Sequence, residues 1–255
     1  MNLTPELELY AKAWRNEDTY NNDFHAALGE AVNSLPENAK LKEHRDWVEQ
    51  NQWGFGDRPF HYVWKMLVEA MPQTFDFLEI GVFKGQVLSL IALLAKETGK
   101  TAKITGVTTL QNTPDERCKY PQGDYLNWIH GAYKQFGLDF SNTKLVVGRS
   151  NDQHVLSHIG AFDYDCCYID GNHDFSIVLQ DLDNYSKRVR VGGFLVVDDA
   201  SVGRLNVGNC WPGLDDVAAA VREYLDPHPS FKFLFACGHL NAFQKIKPQI
   251  GDGKA

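Results

Sequence analysis

From residue 58 onward, short apolar segments alternate with amphipathic segments of about 10–15 residues. Seven short segments have the composition of strands, among them FDFLEIGVF, YDCCYID and GGFLVVDD. Strands that alternate with helices form a mainly parallel sheet, because each helix returns the chain for the next strand in a right-handed crossover. The last two segments, FKFLFA and LNAFQKI, flank Gly238 and predict a closing antiparallel hairpin. The sequence therefore predicts an α/β fold with a seven-stranded sheet and helices on both faces.

Residues 1–57 are more polar, and we predict that they form a helical extension ahead of a domain at residues 58–255. Thr4 can cap a helix whose first position is Pro5, a favourable start. A second amphipathic stretch runs from about residue 23 to 35, and WGFGDR at residues 53–58 is typical of an ordered loop.

Charge and composition exclude several classes of protein. The formal charge of -8 argues against a nucleic-acid binder, which usually carries a basic surface for phosphates. The longest apolar stretches are far shorter than the roughly 20 residues of a membrane span, and no secretion signal opens the chain. Five cysteines without C-x-x-C spacing indicate reduced thiols. We expect a cytoplasmic protein without nucleic-acid or membrane partners.

Ligands bind at the carboxyl ends of the strands in such sheets, and the first of these ends is rich in glycine. In LEIGVFKGQ, Glu79 closes the strand, while Gly81 and Gly85 permit a tight turn and a close approach of a ligand. Phe83 takes the place of the middle glycine in the G-x-G-x-x-G dinucleotide motif. A purely structural turn between strand and helix is the alternative.

The second and third strand ends carry polar residues with a weaker signal. Thr108 stands where nucleotide-binding folds often place an acid for the ribose hydroxyls, so it could offer a hydrogen bond without the charge. Ser150 and Asn151 follow KLVVG and could meet the edge of an adenine ring. An ordinary turn explains these two residues equally well.

The fourth and fifth strand ends carry the strongest chemical signal. Asp170 ends the strand in YIDGNHD, with His173 three residues later, and Asp198 and Asp199 end GGFLVVDD. A single helix separates the strands, so the crossover makes them neighbours and gathers the three carboxylates at one edge. Charges this close raise each other's pKa unless a cation compensates them, and hard oxygen ligands suit Mg²⁺ or a similar divalent ion. The alternatives are a capping aspartate pair and a turn histidine bonded to backbone.

The motifs LEIGVFKG, GRSND, YIDGNHDF…VLQDL and GGFLVVDDAS, in this order, resemble the class I S-adenosylmethionine-dependent methyltransferases over roughly residues 55–247. More narrowly, the chain is similar to the metal-dependent sugar O-methyltransferases of the macrocin O-methyltransferase group. The resemblance implies a Rossmann-like class I methyltransferase fold. It also implies Mg²⁺-dependent transfer of the methyl group of S-adenosylmethionine to a deoxysugar hydroxyl, which leaves S-adenosylhomocysteine.

The resemblance further implies a small-molecule sugar as acceptor, either as a nucleotide sugar or on a glycosylated natural product of antibiotic or related secondary metabolism. Relatives of this group are often multimeric, so we expect a homo-oligomer in which residues 1–57 form a contact.

The same resemblance assigns roles to the residues at the strand ends. The cofactor would be held by Glu79, Gly81 and Gly85 at its methionine part, by Thr108 at the ribose, by Ser150 and Asn151 at the adenine, and by Asp170 beside them. Thr108 departs from the acid that relatives commonly have at that position.

The catalytic roles implied by the resemblance fall on the last two strand ends. The metal ligands would be Asp170, Asp198 and Asp199. His173, assisted by Asp170, would be the base that accepts the proton of the sugar hydroxyl, for which an ordinary histidine pKa of about 6.5 is suited.

Two inserts that follow strand ends, at residues 109–125 and 201–214, could close over an acceptor. They contain Tyr120 and Trp211, which could stack on a sugar face, and Arg117 and Arg204, which could meet a phosphate. Plain surface loops are the alternative for both inserts.

Two other classes of function compete with the methyltransferase. An NAD(P)-dependent oxidoreductase on a similar sheet predicts a G-x-G-x-x-G turn, which Phe83 breaks, and a catalytic Tyr/Lys pair. A non-catalytic nucleotide-binding module predicts that replacing His173 or Asp199 leaves the biological activity intact. Three acids and a histidine at one sheet edge favour an enzyme over a mere binding module.

Overall fold

The structure is a computed structural model that describes residues 1–15, 22–113, 120–204 and 210–249. Within these ranges the helices are α1 (Pro5–Arg15), α2 (Asn22–Ser34), α3 (Ala39–Asn51), α4 (Arg58–Ala70), α5 (Gln86–Glu97), α6 (Tyr125–Gln135), α7 (Gln153–Ile159), α8 (Phe175–Ser186) and α9 (Asp215–Tyr224). The strands are β1 (Thr74–Ile80), β2 (Thr101–Thr108), β3 (Thr143–Val147), β4 (Tyr164–Ile169), β5 (Val189–Val197), β6 (Phe231–Cys237) and β7 (Leu240–Lys245).

The strands form one seven-stranded sheet in the order β3-β2-β1-β4-β5-β7-β6. The first five strands in this order are parallel, and β7 runs antiparallel to both β5 and β6. Ile80 pairs with Ile169, which in turn pairs with Val197, so β1, β4 and β5 end side by side. The predicted α/β fold with its closing hairpin is confirmed.

Two apolar layers cover the two faces of the sheet. One layer includes Trp64 of α4 and Ile91 of α5 against Phe77 of β1, and the other includes Leu182 of α8 and Val221 of α9 against Leu195 of β5. Because consecutive strand residues point to opposite faces, continuously buried strands such as β4 fill both layers.

The extension begins as predicted, with the backbone N–H of Leu7 donating to Thr4 Oγ1 at 3.2 Å. Helix α1 packs on the edge strand β6, where the ring centroids of Tyr10 and Phe235 are 4.6 Å apart. The described part of the extension therefore shares the core of the sheet. The boundary between extension and domain at residue 57 stays a prediction.

Helices α3 and α7 were not predicted from the sequence. The inner face of α3 buries His44 and Arg45 beside Leu41 and Val48, and these polar residues interrupt the apolar periodicity that reveals a helix. Among the described helices, none is both long and apolar enough to span a bilayer.

Candidate active site

The ends of β1, β4 and β5 are fixed to one another by backbone hydrogen bonds. The N–H of Asp170 donates to the carbonyl of Ile80 at 2.9 Å, and the N–H of Asp198 donates to that of Ile169 at 3.0 Å. Gly81, with φ at 98°, lies so close to β4 that a Cβ would stand 1.9 Å from the carbonyl oxygen of Asp170. Only glycine fits here, because it has no side chain and so lets the ends of β1 and β4 approach each other closely.

A cavity of about 710 Å³ opens beside the ends of β1 to β4. Five of the predicted cofactor residues line it, namely Gly81, Thr108, Ser150, Asn151 and Asp170. The structure thus brings these residues to one cavity of the size that small cofactors occupy.

Thr108 is buried in the wall of this cavity, and its hydroxyl is engaged with the backbone. Its Oγ1 donates to the carbonyl of Val82 at 3.1 Å and accepts the N–H of Leu110 at 3.1 Å. The hydroxyl therefore ties the turn after β1 to the turn after β2, and a direct ribose contact stays a prediction.

Glu79 and Gly85 lie away from the 710 Å³ cavity. Glu79 precedes Ile80 by one strand position, so its side chain points to the opposite face of the sheet, into a separate cavity of about 50 Å³. Burial and the nearby Asp198 raise the pKa of Glu79 to about 8. Gly85 starts α5 with φ at 80°, and a Cβ there would lie 3.1 Å from Cα of Ile129. The cofactor roles of both residues stay predictions.

The carboxylates after β4 and β5 form two overlapping groups with histidines. The donor atoms of Asp170, His173 and Asp199 lie within 4.8 Å of one another, as do those of Asp198, Asp199 and His239. Asp199 belongs to both groups and adopts a left-handed conformation with φ at 55°. This conformation is uncommon outside glycine, although aspartate tolerates it better than most residues.

The residues present fit a divalent cation. Burial and the neighbouring carboxylates raise the pKa of Asp170 well above its usual range. Burial raises the pKa of Asp198 to about 6, and its Oδ1 has no hydrogen-bond partner. A cation would offset the cost of burying these acids. Their oxygen atoms are the ligands that Mg²⁺ prefers.

His173 lies in the turn between β4 and α8, where Asn172 Oδ1 accepts the N–H of Asp174 at 2.7 Å. Its imidazole is buried, with Nε2 at 3.2 Å from Asp199 Oδ2. The carboxylate therefore orients the ring.

His239 is a site residue that the sequence analysis missed. Its Nε2 lies 3.6 Å from Asp198 Oδ1 and 3.7 Å from Asp199 Oδ1. The ring is buried between Phe60 and Trp211, at centroid distances of 4.7 and 4.9 Å. Because β7 runs antiparallel to β5, the hairpin turn at Gly238 returns the chain to the carboxyl end of β5. The predicted antiparallel hairpin was therefore the sequence signal from which the position of His239 could have been inferred.

A second cavity, of about 760 Å³, lies on the other side of the carboxylates. Its walls include Phe55, Tyr120 and Trp211, and the side chains of Phe55 and Trp211 are 65% and 53% exposed. Asp170 lines this cavity as well as the 710 Å³ cavity. We call the 710 Å³ space the cofactor-side cavity and the 760 Å³ space the acceptor-side cavity.

The two arginines that were candidates for a phosphate contact have different outcomes. Arg204 pairs with Asp226 at 2.7 Å, and its guanidinium lies 4.1 Å from the ring centroid of Phe233. It lines neither cavity, so the structure does not support its phosphate contact. Arg117 lies outside the described residues.

Comparisons with known proteins relate part of the chain to a methyltransferase domain. Residues 78–200, just under half of the chain, match a family model described as a methyltransferase domain. The chain is 27% identical over 162 residues to an uncharacterized protein of Acanthamoeba polyphaga mimivirus. That match covers 60% of this chain and spans 64% of the length of the viral protein.

Solved structures share the fold at low sequence identity. The Podospora anserina methyltransferase PaMTH1, bound to S-adenosylhomocysteine, is 17% identical with a TM-score of 0.57, covering 90% of this chain and 96% of its own. The O-methyltransferase TomG of Streptomyces achromogenes, in complex with S-adenosylmethionine, is 14% identical with a TM-score of 0.56, covering 91% and 99%. Residues 78–200 thus resemble a methyltransferase domain, and the chain shares its fold with solved methyltransferase structures.

Proposed function

We propose that this protein is a Mg²⁺-dependent O-methyltransferase that moves the methyl group of S-adenosylmethionine to a sugar hydroxyl. The observation that carries this proposal is the position of Asp170, which lines both the cofactor-side and the acceptor-side cavity. A methyl donor in one cavity and a hydroxyl in the other would meet beside this carboxylate. Transfer needs the attacking oxygen in line with the sulfonium carbon, at about 3 Å, so positioning supplies much of the acceleration.

The carboxylates of Asp170, Asp198 and Asp199 would hold the divalent ion, with His239 beside the last two. A bound Mg²⁺ would supply Lewis-acid stabilisation of the developing alkoxide. Asp170 would bind the ion and also line the cofactor-side cavity. It would thereby fix the position of the acceptor relative to the methyl donor.

His173 would accept the proton of the acceptor hydroxyl. A sugar hydroxyl ionises only well above neutral pH, so a base beside it speeds the reaction. The imidazole becomes a cation when it takes the proton, and Asp199 Oδ2, 3.2 Å from Nε2, stabilises that cation. The buried position of His173 excludes bulk water from this transfer.

Among the described residues, the lining of the acceptor-side cavity favours a sugar without a phosphate. Phe55, Tyr120 and Trp211 offer aromatic faces on which sugar C–H groups can pack. The guanidinium of Arg45 already donates to Glu49 and to two backbone carbonyls. The guanidinium of Arg58 already pairs with Asp46 and Glu49. We therefore favour a glycosylated acceptor over a nucleotide sugar.

The first experiment is a calorimetric titration with S-adenosylhomocysteine, with NADH as the control ligand. We expect micromolar binding of S-adenosylhomocysteine and no heat from NADH. Binding of NADH alone would replace the methyltransferase by an oxidoreductase. Binding of neither ligand would leave the acidic group to be explained as the metal site of another enzyme.

The acceptor is then tested with isotope-labelled S-adenosylmethionine and two matched sets of deoxysugars, glycosides and their nucleotide-linked forms. We expect label in the glycosides, in the presence of Mg²⁺ and not in EDTA. Transfer to the nucleotide-linked forms alone would contradict the argument from Arg45 and Arg58. Equal transfer in EDTA would contradict the metal.

The proposal also includes the metabolic role, the cellular location and the oligomeric state of the protein. Assignment to secondary metabolism, a cytoplasmic location and a homo-oligomer with a contact through residues 1–57 rest on the resemblance and on composition. Light scattering of the full chain measures the oligomer, and a monomer at micromolar concentration would contradict it.

A further inference from the structure

A third group of ligand-type side chains lies in the wall of the acceptor-side cavity, apart from the carboxylates after β4 and β5. It consists of His25 on α2, Asp57 just before α4, and Cys210 between β5 and α9. Their donor atoms lie within 4.8 Å of one another. Segments far apart in sequence thus converge here on one nitrogen, one oxygen and one sulfur.

The spacing between His25 and Asp57 suits two ligands of a small tetrahedral ion. Zinc bond lengths of about 2.0–2.3 Å imply that neighbouring ligand atoms stand about 3.3–3.6 Å apart. His25 Nε2 is 3.6 Å from Asp57 Oδ2, which is too long for a hydrogen bond. His25 Nε2 is also buried without a hydrogen-bond partner. Burial lowers the pKa of His25 and so favours the neutral ring, whose lone pair can bind a metal.

The thiol decides which class of metal fits. Burial and the nearby Asp57 raise the pKa of Cys210, so the sulfur keeps its proton until a metal replaces it. In that exchange the sulfur–hydrogen bond breaks, a sulfur–metal bond forms, and one proton leaves to solvent. Sulfur with imidazole and carboxylate is a ligand set for Zn²⁺ or Co²⁺, whereas Mg²⁺ takes oxygen ligands.

We propose that His25, Asp57 and Cys210 form a Zn²⁺ site separate from the proposed Mg²⁺ site. The ion would join the extension to the segment after β5 and so fix one wall of the acceptor-side cavity. Its fourth position would be open to water or to an acceptor oxygen. This site does not depend on which reaction the protein catalyses, because its ligands are distinct from Asp170, Asp198 and Asp199.

The test uses the full chain, stripped with EDTA and then titrated with Co²⁺ alone. We expect a thiolate-to-cobalt charge-transfer band in the near ultraviolet, which an equal amount of Zn²⁺ removes. Cys210→Ser should abolish the band. The matched variant is Cys237→Ser, which removes a buried thiol near Cys210 that does not belong to the group. This variant should keep the band. Asp198→Asn should also keep it.

Two further variants make the test independent of how well Cys210→Ser folds. His25→Gln and Asp57→Asn retain the thiol, and each should weaken Zn²⁺ affinity more than about tenfold, a loss that even outer-shell changes can cause. Absence of the band in the parent chain would overturn the proposal. So would a band that survives Cys210→Ser, or one that disappears in Cys237→Ser.

Discussion

The two cavities that meet at Asp170 are built from different kinds of chain segment. The cofactor-side cavity is formed by turns that directly follow β1, β2, β3 and β4, and its shape depends on backbone geometry such as that of Gly81. The acceptor-side cavity is formed by the extension, the segment after β5 and the hairpin turn. Phe55 and Tyr120 line both cavities, so the first is built mainly on the sheet and the second is added around it.

This difference separates two kinds of function. Residues on the cofactor side hold turns in place, as the Thr108 hydroxyl does, and should affect binding more than turnover. Under the proposed function, residues on the acceptor side such as His173 and Asp199 would lie where protons and charge develop. They should affect turnover and leave cofactor binding nearly unchanged. Variants that separate the two effects test the comparison.

Asp199→Asn should have the largest effect. It removes one carboxylate from both groups of metal-ligand candidates, and the lost stabilisation of the alkoxide is worth several kcal/mol, a fall in kcat of about 1000-fold or more. The dissociation constant for S-adenosylhomocysteine should stay within about twofold, less than 0.5 kcal/mol. Excess Mg²⁺ should restore part of the activity.

The matched control for Asp199→Asn is Asp183→Asn, which alters a half-buried carboxylate on α8 that lines neither cavity. It should keep parental kcat. A normal kcat in Asp199→Asn would remove this residue from the metal site, and equal losses of kcat and of cofactor binding would erase the distinction between the cavities.

His173→Gln should have the second largest effect. Loss of a general base costs about 100-fold to 10,000-fold in rate, and kcat should then rise with pH as the free hydroxide takes over the role. Cofactor affinity should not change. His158→Gln on α7 is the matched control, because His158 lines neither cavity. An unchanged kcat in His173→Gln would exclude this residue as the base.

The sequence predicted the residues that follow strand ends better than those that packing brings to the site, for a physical reason. Parallel strands end at one edge, so the apolar runs before Asp170 and Asp198 were sufficient to place those carboxylates side by side. The same rule brought Thr108, Ser150 and Asn151 to one cavity. Local pattern determines such positions because each residue lies at a strand end.

Residues placed by long-range packing were harder to predict. Glu79 is a local exception: it precedes the last residue of β1, and the alternation of side chains directs it away from the cofactor-side cavity. His239 reaches the carboxylates only through the antiparallel pairing of β7 with β5. His25 and Asp57 join the acceptor side through helix packing, for which the sequence has no short-range signal.

Glu79→Gln tests a residue of the 50 Å³ cavity, which shares Asp170 with both larger cavities. The pKa of Glu79 is raised to about 8 from 4.5, so the unfolded chain loses this proton at lower pH than the folded chain. The parent protein therefore loses stability as pH rises from about 4.5 to about 8, by about 1.4 kcal/mol per pH unit. The variant lacks this contribution.

Urea unfolding in EDTA, from pH 5 to pH 9, measures this effect. The stability of Glu79→Gln relative to the parent should increase across the range and level off above about pH 8, the raised pKa of the carboxyl. Glu97→Gln, at the exposed end of α5, should follow the parent. A constant difference between Glu79→Gln and the parent would show that Glu79 ionises normally in the folded chain.

Thr108→Val should have the smallest effect and the opposite signature to that of the acceptor-side variants. The change keeps the shape of the side chain but leaves the carbonyl of Val82 and the N–H of Leu110 without their partner, at a cost of about 1 kcal/mol. That cost should appear as about fivefold weaker S-adenosylhomocysteine binding, with kcat unchanged at saturating cofactor. Thr101→Val, exposed at the other end of β2, should bind normally. If Thr108→Val instead lowered kcat and left binding intact, the turn after β2 would belong to the reacting centre, and the division between a cavity that binds and a cavity that reacts would fail.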